Sequence, residues 1–195
     1  LKPLYYGIIG MRQFTNSKHE IVTPDDLKGL KIRAQNNSVQ VKGLSAFGCS
    51  ISTMSFSEVF TSLQQGTIDG QENPIETLYN FQYYDVQDYV TISNHLCTAG
   101  AVVCNNAWYE GLSDEFKAAV DKAAQVAEAY SIEELNSSES EVLSLLAEKM
   151  QVTELTEEQL AAFQDVAKTA WPELVDEIGS DYMNEFLTAA GISMN

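Results

Sequence analysis

Ile21-Val22-Thr23-Pro24-Asp25-Asp26-Leu27-Lys28-Gly29-Leu30-Lys31-Ile32-Arg33-Ala34 carries the local signals that decide the fold. Ile21 and Val22 read as extended chain. Thr23 can cap a helical turn, Pro24 suits its first position, and Asp25 and Asp26 favour its positive end. Gly29 stops the turn, and Leu30–Ala34 follows as a strand. The pattern then repeats. Val39–Phe47 places Val41, Leu44 and Phe47 on one helical face, closed by Gly48. Ser50–Met54 is a short strand, and Ser55 with Glu58 forms a capping box that opens a helix over Phe56–Gln65, ended by Gly66. Thr67–Gln71 is a further strand, and Pro74 can open the next helix. Val90–Ser93 and Ala99–Asn105 also read as strands; the second is continuously apolar, which predicts burial on both faces.

Strands alternating with helices specify an α/β fold with a mostly parallel sheet. In such sheets ligands bind in the crevice beyond the carboxyl ends of the strands. Arg33, near the end of one strand, and Asn73, just past another, therefore occupy candidate site positions. After Trp108 the character changes. Ser113 caps a segment whose helical composition runs to about Met150 without proline or glycine, which at roughly 1.5 Å per residue reaches about 55 Å. It must bend, break near the polar run 136–140, or cross between two lobes. Thr156 with Gln159 is a second capping box, opening a helix to about Ala170. Trp171-Pro172 interrupts it, and Glu173–Ala190 reads as one last amphipathic helix closed by Gly191.

The 195 residues have a formal charge of −17, which excludes nucleic acid and anionic membrane surfaces as partners, since both need a basic footprint. The charge is unevenly spread: seven of the eleven lysines and arginines lie in residues 1–42, against three acids there. The chain's two arginines, Arg12 and Arg33, both fall in this basic segment. An acidic protein that attracts an anion must do so locally, so these two are the first candidates. Cys49, Cys97 and Cys104 form no metal-ligand spacing and no even framework, and are expected to be small buried apolar residues. His19 and His95 have no partner motif and are expected to be structural. Asp69 and Glu72, near a strand end, could hold a cation or orient an arginine, although turn and supporting hydrogen bonds are the plainer reading.

No phosphate-cradling glycine loop, dinucleotide fingerprint, zinc set or nucleophile elbow occurs. No cofactor or metal is expected, and an enzyme reading has no constellation of residues behind it. No stretch approaches the roughly 18 apolar residues that span a bilayer, and residues 1–10 lack the pattern of a signal peptide.

The run Arg12-Gln13-Phe14-Thr15-Asn16-Ser17-Lys18, followed by Ile21 to Arg33, resembles the TRAP-type solute-binding family, also called dicarboxylate-binding. The resemblance continues through Phe47-Gly48, Met54–Phe60, Leu63–Pro74, Asp85–Tyr89, Ser93–His95 and Asn105–Trp108, covering about residues 12 to 112. It implies a two-lobe fold like that of periplasmic binding proteins, with a long lobe-spanning helix over 113–150. By the resemblance, residues 1–94 begin the second lobe, 95–135 belong to the first lobe and start the long helix, and 136–195 return to the second. Most of the first lobe would be missing from the chain, and with it the signal peptide or lipid anchor. The resemblance implies a small organic acid as ligand, with its carboxylate on Arg33. Arg12 would make a second polar contact, Asn73 would donate to the ligand and Phe56 would line the pocket, with Gln35 and Ser38 as further candidates. Arginine suits this task because its planar fork gives a carboxylate two parallel donors. The implied partners are TRAP membrane permease subunits, in the periplasm or at the cell surface as a lipoprotein. The absent N-terminal lobe would be needed for tight binding. A ligand-sensing receptor module of the same fold is the alternative reading.

Overall fold

A computed structural model describes residues 1–192. Six strands, β1 (Lys2–Asn16), β2 (Lys31–Ala34), β3 (Ser50–Thr53), β4 (Gly70–Pro74), β5 (Tyr89–Cys104) and β6 (Gln151–Glu154), make one sheet in the order β3-β2-β4-β1-β5-β6. β2 runs parallel to β3 and β4, and β5 parallel to β6. The sheet is mixed because β1 lies antiparallel to both of its neighbours, β4 and β5. The helices are α1 (Ser38–Ser45), α2 (Phe56–Gln64), α3 (Ile75–Asn80), α4 (Asn106–Glu110), α5 (Asp114–Ala147), α6 (Glu157–Lys168), α7 (Trp171–Ile178) and α8 (Ser180–Ala189).

The capping signals work locally as the chain suggests. Thr23 and Asp26 form a capping box, closing a 3-10 turn over Pro24–Leu27. Ser55 with Glu58 opens α2, and Thr156 with Gln159 opens α6. Asn37 caps α1 by accepting from the Gln40 amide at 3.1 Å. Because side chains alternate along a strand, β2 sends Ile32 and Ala34 to one face and Arg33 to the other. Ile32 and Ala34 join a core with Phe14, Leu44, Phe47 and Phe163. The second core contains Val59, Leu63, Leu78, Tyr83, Val90 and Leu146. Each such side chain contributes about 1.5–3 kcal/mol on burial, so the two clusters hold the sheet between its helical layers. β1 and β4 approach closely at Gly70, where a Cβ would sit 2.0 Å from the Thr15 carbonyl oxygen.

Several expectations change. β1 is a 15-residue strand over a segment that gave no alternating signal, because much of its first half is exposed on both sides: Tyr6, Ile8 and Ile9 all face solvent. The strand expected at Thr67–Gln71 lies at Gly70–Pro74 instead, its register set by pairing Asn16 with Gly70 and Arg12 with Pro74. The two strands expected at Val90–Ser93 and Ala99–Asn105 are one continuous β5, and its second half is not buried: Ala99, Ala101, Val102 and Val103 are exposed. This half pairs with the first half of β1 as a two-stranded ribbon, which the described helices do not enclose. α5 is unbroken over 34 residues. It is tied to the body near its C-terminus, where Val142, Leu143 and Leu146 enter the second core, and it passes beside the ribbon, with Ser131 Oγ 3.7 Å from where a Cβ on Gly7 would lie. β6 had not been anticipated. The last helix is two, because Gly179 adopts φ 94°, a conformation that favours glycine and breaks the α7–α8 run.

Candidate functional site

The carboxyl ends of β2 and β4 and the middle of β1 meet at one edge of the sheet, because Arg33 lies beside Gln71 and Asn73 beside Gln13. Register places Arg33, Gln71, Asn73 and Gln13 on one face. Glu72 and Phe14 are paired on the other, where Arg12 also lies. The two arginines thus approach the strand ends from opposite faces, and their surroundings differ.

Arg12 is saturated. Its Nε donates to Glu72 Oε2 in a close ion pair. Its Nη2 donates to Glu72 Oε1 at 2.8 Å, to the Glu72 carbonyl at 2.5 Å and to Asn73 Oδ1 at 3.0 Å. Nη1 donates to Thr98 Oγ1 at 3.2 Å. Glu72 is fully buried and also accepts from Gln40 Nε2 at 2.8 Å. His95 Nε2 lies 3.4 Å from Glu72 Oε2, with its ring stacked on Phe14 at 3.9 Å between centroids. Burial pushes the Glu72 carboxyl up; the adjacent His95 and Arg12 pull the other way and win, holding it below the usual carboxylate range. Neither arginine is the surface cation that composition alone would suggest.

Arg33 is unsaturated. It is 2% exposed, and its Nε and Nη2 donate to a single acceptor, the Met54 carbonyl, at 3.3 and 2.8 Å. Nη1 is buried and has no protein partner among the described residues. Burial pulls this guanidinium down from its ordinary value, and the like charge of Arg12 adds to that, against the opposing pull of Glu72 and Tyr83. An unmade hydrogen bond on a buried charged group costs about 1–3 kcal/mol or more, so the structure keeps a donor waiting for an acceptor.

Asn73 joins the two environments. Its Oδ1 accepts from Arg12 and its Nδ2 donates to Gln71 Oε1. Gln71 donates in turn to Thr15 Oγ1 at 2.9 Å, and Thr15 to Gln87 Oε1 at 2.8 Å. This buried amide chain fixes which way Asn73 points. Phe56 is 38% exposed and meets Phe81 and Tyr83 edge-on, at 4.7 and 6.3 Å between centroids. A cleft of about 480 Å³ opens beside Arg12, with Gln35, Asn37, Gln40, Thr98 and Ile178 in its wall. Gln35 therefore faces it, whereas the Ser38 hydroxyl is taken by Glu177 of α7. Glu72 carries out the arginine-orienting role that was one of its two readings. Asp69 accepts from the Lys31 amide at 2.9 Å instead. Thr98, Gln40 and Gln71 went unread in the sequence. Of the cysteines, only Cys49 is buried; Cys97 is exposed in the cleft wall and Cys104 half-buried on the ribbon, because that part of β5 has no layer over it.

Arg33 thus keeps a buried guanidinium nitrogen without a protein partner at a strand end, and among the described residues there is no group of three or more His, Cys, Asp or Glu fit to hold a metal. Residues 1–177 match DctP, bacterial extracellular solute-binding protein, family 7, and the chain belongs to that family. It is 40% identical over 130 residues to the 2,3-diketo-L-gulonate-binding periplasmic protein YiaO of Escherichia coli, covering 67% of this chain and 40% of that protein. It is 33% identical to the C4-dicarboxylate-binding periplasmic protein DctP of Vibrio cholerae, over 97% of this chain and 57% of that protein. A TRAP periplasmic solute-binding protein from Shewanella oneidensis with bound succinate superposes with a TM-score of 0.86 at 30% identity, over 93% of this chain and 60% of that one. The chain thus spans roughly two fifths to three fifths of the length of these proteins. They are solute-binding proteins of transporters, not enzymes.

Proposed function

We propose that this chain supplies one wall of the ligand site in a periplasmic, TRAP-type substrate-binding protein, which captures a small organic acid and passes it to a membrane permease. Arg33 receives the carboxylate, and its unpartnered buried Nη1 is the observation that carries the reading. Asn73 presents its remaining amide hydrogen next to that carboxylate. Arg12 fixes Asn73 and contributes one edge of its guanidinium to the cleft. Phe56, beside the Tyr83 that also faces Arg33, is the aromatic wall that excludes water from the pair.

The rest of the enclosure comes from a second lobe. The ribbon, made by the first half of β1 and the second half of β5, reaches into the other lobe together with the first part of α5. Support comes from the apolar surface left bare on the ribbon and on α5, at Tyr6, Ile8, Ile9, Val102, Phe116, Val126 and Tyr130. An exposed arginine–carboxylate pair is worth only about 0–1 kcal/mol, so tight binding depends on that closure. Calorimetry of the intact protein with a panel of organic acids, followed by a structure of the complex, tests the assignment. A bound carboxylate on Arg33 is expected; a ligand carboxylate held elsewhere, with Nη1 still unpartnered, would overturn it.

A further inference from the structure

The ribbon and the first part of α5 leave the body of the molecule past one side chain, Glu76. β1 pairs with β4 from Arg12 onward. Before Arg12 it pairs with β5 alone, through a register shift between Ile8 and Gly10. At that point Gly10 adopts φ 147°, and a Cβ on it would lie 2.8 Å from Pro74 Cβ and 3.5 Å from Glu76 Oε2. Glu76 stands in the first turn of α3, which packs against β1, β4, α5 and the 3-10 turn Tyr83–Asp85. The neck from which the ribbon and α5 emerge is therefore built around this carboxyl.

Glu76 has no cation there. It is half-buried, and its Oε1 is buried with no hydrogen-bond partner among the described residues. No lysine, arginine or histidine among them forms an ion pair with Glu76, or with Glu139 of α5, whose charge acts on it. The rest of α5 on this side is apolar, Val142, Leu143 and Leu146. β1 presents Gly10, and the ionisable side chain two residues on, Arg12, is consumed by Glu72 of β4. In the 3-10 turn, Tyr83 is buried in the second core, Tyr84 meets Tyr79 of α3 at 5.8 Å between centroids, and Asp85 can add only negative charge. Burial pushes the Glu76 carboxyl above its ordinary range; its own backbone amide pulls it down by less, and Glu139 adds to the rise. An enclosed oxygen leaves no room for an outside cation, whereas a proton needs none, and burial favours the neutral form.

From an unpartnered buried oxygen under the charge of Glu139, at the root of the ribbon and α5, we infer that Glu76 is a proton-operated latch on this neck. Protonated, it is neutral and lets α3, Gly10 and α5 stay packed. Ionised, it draws water and is repelled by Glu139, and α3 loosens from the two outgoing elements. The loosened carboxyl has the ordinary value of about 4.3, and the packed one a higher value. Packing is therefore complete below the ordinary value and is lost as the pH rises through the higher one. One proton is exchanged, so the open fraction rises by up to about tenfold per pH unit between the two. The latch does not depend on what Arg33 binds.

Hydrogen exchange read by mass spectrometry on the intact protein, from pH 4 to 8, tests it. Each rate is divided by that of an unstructured peptide at the same pH. Protection at residues 8–11, 75–80 and 139–143 should fall with rising pH by about tenfold or more, while β2 stays constant. Glu76→Gln, which keeps the shape without the charge, should hold the low-pH protection throughout and melt no lower than wild type at pH 7. Glu139→Gln should keep the fall and move it to lower pH. Four results overturn the latch: no fall in wild type, a fall of the same size in Glu76→Gln, an unmoved fall in Glu139→Gln, or a lower Tm for Glu76→Gln at pH 7, which would reveal a paired carboxylate.

Discussion

Replacing Arg33 by methionine separates a residue kept for a ligand from one kept for the fold. The side chain is 2% exposed, with a single protein acceptor, the Met54 carbonyl, and an unpartnered Nη1. Removing the cation relieves an unmet donor worth about 1–3 kcal/mol, while the Met54 carbonyl loses a bond worth about 1 kcal/mol. A methionine fills most of the volume and adapts to the gap. The two changes nearly cancel, so the ligand-free stability of Arg33→Met should stay within about 1 kcal/mol of wild type or rise. Binding should fall by about 2–5 kcal/mol, a loss of about 30-fold to several thousand-fold in dissociation constant. Arg12→Met should show the opposite balance. It strands the fully buried Glu72 carboxylate, and breaking such a pair costs about 3–5 kcal/mol of stability. Chemical denaturation without ligand and calorimetry with the acid that binds wild type, each on both variants of the intact protein, provide the readout. If Arg33→Met destabilises as much as Arg12→Met, or binds within threefold of wild type, Arg33 is a structural residue and the reasoning fails.

The Glu72 carboxyl sits below its ordinary range when folded, so its contribution is complete above the unfolded value of about 4.3 and lost as the pH falls through the lower folded value. Glu72→Gln should accordingly be less stable near neutrality, and its gap in Tm from wild type should narrow as the pH is lowered from 6 to 3; a constant gap would contradict the assignment. Gly70→Ala drives a methyl into the Thr15 carbonyl and should cost at least about 1–3 kcal/mol. Gly43→Ala, inside α1 with nothing within 4 Å of the new carbon, should instead stabilise by about 0.5–1 kcal/mol, both read by denaturant titration. Burial pushes the Cys49 thiol up to about 11, so at pH 8 Cys97 and Cys104 should alkylate quickly and Cys49 only on unfolding. Mass spectrometry that found Cys49 modified first would show the α1–β3 corner to be open.

What the sequence made readable was local. The caps at Thr23, Ser55 and Thr156, and the strand that delivers Arg33, all depend on residues within a few positions of one another. What stayed hidden was non-local. The Arg12–Glu72 pair joins residues 60 positions apart and exists only through the β1–β4 register, and the stacking of His95 on Phe14 likewise needs β5 beside β1. The ribbon was misread because hydrophobicity reports a tendency to be covered, and among the described residues none covers the exposed side chains of Ala99, Ala101, Val102 and Val103. Gly179 shows the opposite failure, where a single positive φ outweighs an amphipathic pattern that runs through it.

The alternation along β2 ties two kinds of error together. Ile32 and Ala34 fill one core while Arg33, between them, faces the other side. A slip of one residue against β4 would exchange these faces, driving a guanidinium into the packing around Phe14 and Leu44 and leaving Ile32 in the place meant for a charge. Such a molecule could not be a well-folded but silent copy. It would lose its packing together with its anchor, exposing apolar surface that proteases and chaperones recognise. Quality control of the fold is then also quality control of the activity, and the preparation should contain competent molecules or unfolded ones, with few folded impostors between.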